Sequence, residues 1–319
     1  MTDPTPNPHG AVLITGATGG LGRRTAEALA RSGRPVVVGG RRAALVDEVV
    51  ASINRTGGGD ATPFVADLAD LDDLRQALDE TPLPPLHGIM ANAGISTMED
   101  QRSAQGYELT FAVNVLAHQV LLARLAPTVL TGGRILVVSS GVHDPDNRLA
   151  RLAGIPVPVW IGAPDLARPD EAPASTRHED GRLRYSTSKL GNILQARGLH
   201  DRLAAAGHEI DVFALDPGLM VDTDLARELP RPAQVIFRAL GRLATPLVAN
   251  MRRSTTTAAM VQRIFDDVDW AGQGFAYVDG DEIRPPSPDA QRLDLADELW
   301  RDAAVLTGLT ATESSLPLV

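Results

Sequence analysis

Seven short apolar runs punctuate the chain: AVLIT (11–15), PVVVGG (35–40), TPFVA (62–66), LHGIMAN (86–92), GRILVVSS (133–140), EIDVFALD (209–216) and GFAYVD (274–279). Between them apolar residues recur at helical spacing over 20–32, 42–54, 70–80, 104–126, 185–206 and 253–267. Strands this apolar have no face to offer water, so they must be covered on both sides, and the alternating helices are the covers. The pattern predicts one α/β domain over residues 11–319, a doubly wound parallel sheet with ligands at the carboxyl ends of its strands.

Two stretches break the rhythm. Residues 141–182 are rich in Pro, Asp and Arg, follow no period and read as an inserted, largely irregular excursion. Residues 219–252 carry helical apolar spacing after Pro230 and Pro232, and read either as a packed surface helix pair or as a helical lid over a substrate. The polar, proline-rich residues 1–10 are expected to form a flexible tail without a leader segment. No later stretch is expected to reach membrane-spanning length.

Composition narrows the function. Forty acidic against 30 basic residues give a net charge of -10, and no basic stripe is available to track phosphates, which excludes a nucleic-acid partner. Cysteine is absent, which excludes disulfides, thiolate catalysis and cysteine-bound metals. The expectation is a cytoplasmic protein without stable membrane insertion, acting on a small molecule.

The first run opens into Thr15-Gly16-x-x-x-Gly20-x-Gly22 and then a helix. Glycines there allow a tight turn, close backbone approach to a pyrophosphate and close helix-to-strand packing, while the helix N-terminus favours the anion. Gly16, Thr18, Gly20, Leu21 and Gly22 are therefore candidate dinucleotide-binding residues. The second run ends in VVVGGRR, without the carboxylate that would bond ribose hydroxyls. Arg41 and Arg42 follow instead, and a guanidinium grips a 2′-phosphate bidentately, so NADP(H) is expected with Arg41 as its main contact. Arg23 and Arg24 stand behind them as secondary candidates.

Of the 30 basic residues 29 are arginine; the single lysine, Lys189, follows Tyr185 by four positions in YSTSK. On one helix the two share a face, and an ammonium beside a phenol is expected to stabilise the phenolate and lower its pKa from about 10. His118, His143 and His178 lack metal-ligand spacing and read as surface or core side chains; no metal is expected. The run SSGVHD has the residue types of a hydrolytic triad, but that triad is a spatial arrangement, not a sequence one.

Together, TGATGGLG, ADL (66–68), ANAG (91–94), Asn114 in FAVNVLAHQVLL, RILVVSS (134–140), YSTSK (185–189) and DPGLMVDT (216–223) make the chain resemble a short-chain dehydrogenase/reductase over nearly its full length. The resemblance implies a single-domain Rossmann fold. It also implies that Asp67 and Leu68 flank an adenine, that Asn92, Ala93 and Gly94 line the cofactor cleft, and that Pro217, Gly218 and Thr223 border a nicotinamide. Ser140 would bond the substrate oxygen, with Ser139 turned away by strand alternation. Tyr185 would exchange the proton, Lys189 would bind ribose and tune Tyr185, and Asn114 would help hold a water relay to Lys189.

The long interval between Ser140 and Tyr185 is similar to the enlarged retinol dehydrogenase and protochlorophyllide reductase branch, though the cysteine on which the latter enzyme relies is missing. The implied activity is NADP(H)-dependent interconversion of a ketone or aldehyde with an alcohol by hydride transfer. A bulky apolar or polycyclic substrate and a monomer or homodimer are expected. Two other readings stay open: a nucleotide-sugar epimerase or dehydratase with retained cofactor, through Gly16, Gly19 and Gly22, and a non-catalytic NADP(H)-binding sensor.

Overall fold

The computed structural model of the chain describes residues 10–56, 58–172, 177–178, 180–220, 251–252 and 254–318. All seven expected strands form, each within two residues of its expected ends. They are β1 (Ala11–Ile14), β2 (Val36–Gly40), β3 (Ala61–Val65), β4 (Leu86–Ala91), β5 (Arg134–Val138), β6 (Asp211–Asp216) and, after a short pair β7 (Leu219–Met220) and β8 (Met251–Arg252), β9 (Phe275–Asp279). The main sheet runs β10-β9-β6-β5-β4-β1-β2-β3, parallel throughout except for β10 (Glu282–Arg284), which turns back antiparallel on β9.

Side-chain alternation sorts the strands into two cores. Leu13, Val37, Ile89 and Ile135 belong to one, and Val12, Ile14, Val38, Met90 and Leu136 to the other. The second core is closed by α1 (Gly20–Arg31), α2 (Ala43–Thr56) and α9 (Ser254–Asp266). The first lies under α3 (Leu71–Glu80), α4 (Leu109–Phe111), a π-helical turn (Ala112–Leu116), α5 (Ala117–Leu125), α8 (Gly181–Ala205) and α10 (Leu293–Thr307). Because β1 pairs with both β2 and β4, the winding reverses there, and the crevice opens at the carboxyl ends of those strands.

Several expectations change. The helix expected from 104 starts at Leu109, because Glu108 caps it by accepting from the Thr110 and Phe111 amides. Contrary to expectation, Leu109–Thr128 is long and apolar enough to cross a membrane, with mean hydropathy 1.5; its apolar side chains face the core, 83% of the window being buried. α8 begins a turn earlier than expected, where Asp180 accepts from the Arg182 amide. Within the described part of the 141–182 excursion lie α6 (Arg148–Leu152) and α7 (Ala163–Ala167), the latter buried against the protein. Trp160 ties the excursion to α10 through Glu298 at 3.1 Å. The expected tail, apart from Gly10, and most of the expected lid, 221–250, lie outside the described residues.

Both edges of the sheet are irregular. On β3 the Asn54 carboxamide takes both the amide and the carbonyl of Ala61, and Pro63 has no amide to offer. At the other edge β10 is three residues long, exposed at each of them, and carries Arg284 ion pairs to Asp279 and Glu282.

Candidate active site

Thr15, at the end of β1, organises the crevice. Its Oγ1 accepts from the Asn92 and Ala93 amides at 2.9 Å each, and its carbonyl accepts from Asn92 Nδ2 at 2.8 Å, so the ANAG turn is bolted to the glycine turn. With two amides on its lone pairs, the Thr15 hydroxyl gives its hydrogen to His118 Nε2 at 3.0 Å. The His118 Nδ1 faces the Asn114 carbonyl at 3.1 Å, a contact that only an N–H can make, which fixes the tautomer. Burial holds His118 down to about 4, so it is neutral at physiological pH.

In the glycine turn, Gly16 has φ 67° and Gly20 φ 54°, left-handed values that favour glycine. Gly19 is extended, φ -164°. The backbone therefore requires the Gly16, Gly20, Gly22 pattern and not the alternative through Gly19. A Cβ on Gly22 would meet the Gly16 carbonyl oxygen at 2.5 Å, so only glycine lets helix α1 close on the turn. Thr18 and Leu21 lie on the same turn, Thr18 beside Gly40 at the end of β2. Arg41 and Arg42 follow β2, both exposed, whereas Arg23 is taken by Glu27 and Glu48. Asp67 and Leu68 follow β3, with the Asp67 carboxylate accepting from the Ala69 amide. A glycine turn opening into the N-terminus of α1, with the exposed Arg41 and Arg42 at the end of β2, fits a phosphorylated dinucleotide.

At the end of β5 the two serines diverge. Ser139 is buried and donates to the Lys189 carbonyl at 2.7 Å, while the Ser140 side chain faces the Tyr185 phenol. His143 turns its ring nitrogens to the Ser140 carbonyl and the Ser287 amide, so no Ser-His pairing through the hydroxyl exists. Tyr185 and Lys189 share a face of α8, with Nζ 5.7 Å from the ring centroid. The expected lowering of the phenol is overridden. Burial pushes Tyr185 up to about 12, the nearby Asp216 carboxylate adds to this, and the Ser140 side chain pulls against it. The Lys189 ammonium faces the Tyr185 ring but gives its hydrogen bonds to the Val138 carbonyl at 3.0 Å and Asn192 Oδ1 at 3.1 Å, and burial lowers it to about 8.

Asn114 sits in the π-helical turn with its side chain on Ile95 and Ser188, so it braces α8 against the loop after β4 and does not touch Lys189 directly. Gly94 lies between them: a Cβ there would be 3.3 Å from Asn114 Oδ1 and 3.5 Å from Lys189 Nζ. Pro217 and Gly218 follow β6; Gly218, at φ 76°, donates its amide to Asp216. Thr223 lies outside the described residues. Sequence reasoning missed Asn192, and also Asp216, a carboxyl 4% exposed that accepts from the Gly141 and Gly218 amides and is raised by burial.

A family model described as short chain dehydrogenase matches residues 10–147. The polyprenol dehydrogenase of Mus musculus is 30% identical over 318 residues, spanning 97% of this chain and 87% of that protein. Among solved structures, the angucycline C-6 ketoreductase LanV with bound NADP aligns at a TM-score of 0.59 and 22% identity, covering 85% of this chain and 93% of that one. LugOII, a promiscuous reductase that catalyses keto-reduction at C1 during lugdunomycin biosynthesis, aligns at 0.58 and 24% identity over 85% and 95%.

Proposed function

Because this chain belongs to the short-chain dehydrogenase/reductase family of oxidoreductases, we propose that it is an NADP(H)-dependent ketoreductase for a bulky, apolar or polycyclic carbonyl. The observation that carries this reading is the pairing of the Ser140 and Tyr185 hydroxyls at the end of β5, with Lys189 on the same helix face. The ketoreductases among the structural relatives and the exposed Arg41 after β2 support the substrate class and the cofactor choice.

NADPH, when bound, supplies the hydride to the carbonyl carbon. Ser140 donates to the carbonyl oxygen and stabilises the charge that grows there. Tyr185 passes its phenolic proton to that oxygen, giving the alcohol and leaving a phenolate that the Lys189 ammonium faces. A phenol raised to about 12 keeps its proton throughout the neutral range, so Tyr185 enters the reaction protonated. Asn92, Ala93 and Gly94 would line the cleft, and Arg41 would hold the 2′-phosphate.

A panel of bulky ketones and alcohols followed by NADPH absorbance, with NADH as control, tests the reading. Tyr185→Phe should keep NADPH binding and lose about 100- to 10,000-fold in kcat, the usual range for a removed general acid. Unchanged turnover in that variant would remove Tyr185 from the chemistry. Arg41→Ala should narrow the preference for NADPH over NADH, and an undiminished preference would remove Arg41 from cofactor choice.

A further inference from the structure

The carboxamide of Asn192, 1% exposed, lies between Lys189 and the backbone of Asn114. Its Oδ1 accepts from Lys189 Nζ at 3.1 Å, and its Nδ2 donates to the Asn114 carbonyl at 2.6 Å. The partners fix its orientation: flipped, it would set an NH2 against an ammonium and an oxygen against a carbonyl. That line between Asn114 and Lys189 is where the family resemblance implies a water relay. Here a side chain occupies it. An ammonium has three N–H donors. The Val138 carbonyl takes one at 3.0 Å and Asn192 takes the second, so tetrahedral geometry at nitrogen sets the direction of the third.

We propose that Asn192 is a positioning residue that takes the place of a relay water, holding Lys189 by one of its three N–H groups and tying it to the Asn114 carbonyl. This rests on the hydride-transfer reading above. Water in that position would exchange and reorient; an amide packed in the core does neither, so the ammonium is oriented before anything binds.

Lys189 is the sole lysine, so protein labelled with ε-¹³C-lysine gives a single lysine resonance to titrate. Among the described residues the titratable groups facing it are Tyr185 on its own helix, raised to about 12, and His118 on α5, lowered to about 4, so neither titrates alongside it near pH 8. Asn192→Leu removes the acceptor and should lower the Lys189 midpoint by about one pH unit, while Asn192→Asp, which adds a carboxylate beside the ammonium, should raise it. In NADPH-linked reduction Asn192→Leu should lose roughly tenfold or more in kcat, with the carbonyl KM changing less than about threefold.

Midpoints within about 0.2 of wild type in both variants, or shifts of the same sign, overturn the proposal. If Asn192→Leu does not fold, the direction of the Asn192→Asp shift decides alone. The titration needs neither cofactor nor substrate. A wild-type protein inert toward every carbonyl would therefore sink the ketoreductase reading while leaving this outcome to be read separately.

Discussion

Lys189 reaches a site with room for a point charge: its Nζ fits between a strand carbonyl and an amide oxygen, and the residue is 4% exposed. A guanidinium is wide, planar and permanently charged, and cannot meet those two acceptors from the same stem without displacing Asn192. Lys189→Arg should therefore keep the formal charge yet lose at least about 100-fold in kcat, and it should melt lower because a buried network is broken. Kinetics beside a thermal melt check both. Tyr185 and Lys189 are legible in the sequence because a spacing of four puts them on one helix face, whereas Ser140 is reached only through the family resemblance. Asn192 is not legible, since its partner carbonyl lies 78 residues away, and neither is the support that His118 gives Thr15 across 103 residues. Such contacts are made by the fold, and no local pattern encodes them.

At the scale of elements, the first turn of α8 is pinned by Arg184, the residue before Tyr185. It pairs with Glu108 at 3.2 Å, both side chains buried, and donates to the carbonyls of His178, Met98 and Glu99. One side chain thus joins α8 to the excursion, the loop after β4 and the cap of α4. Glu108→Ala removes the buried carboxylate that Arg184 pairs with and a helix cap at once, and should cost about 3–5 kcal/mol in urea unfolding. A loss below about 1 kcal/mol would show that the pair is incidental. The parallel strands were readable because burial on both faces makes them uniformly apolar. β10 was not, its three residues being exposed and without alternation. Helix α10 carries a usable period in Leu295, Leu299 and Ala303 with Trp300 beside it, yet its place under the sheet depends on Trp160 and Gly198, far away in sequence.

Across the whole molecule, His118 couples stability to acidity. Its folded pKa, about 4, lies below the ordinary 6.5, so between those values the unfolded chain binds the extra proton. Its contribution is complete above pH 6.5 and is lost as pH falls toward 4, by at most about 3 kcal/mol. Asp216, raised by burial, acts with the opposite sign, its contribution fading as pH rises. The difference between wild type and His118→Gln cancels that background: the variant's unfolding free energy should fall less steeply than wild type's between pH 6.5 and 4. Parallel curves would contradict it.

The edges of the sheet bear on how copies of this chain meet. An amide–carbonyl pair on β3 is already spent on Asn54, Pro63 lacks the next donor, and β10 is too short and too charged to template another strand. Among the described residues, neither margin of the main sheet offers a regular row of free donors and acceptors to a neighbouring strand, which disfavours edge-to-edge pairing and fibril growth there. Asn54→Ala combined with Pro63→Val should reopen one margin: on mild heating, light scattering should rise in that variant well before wild type, with a thioflavin-positive deposit.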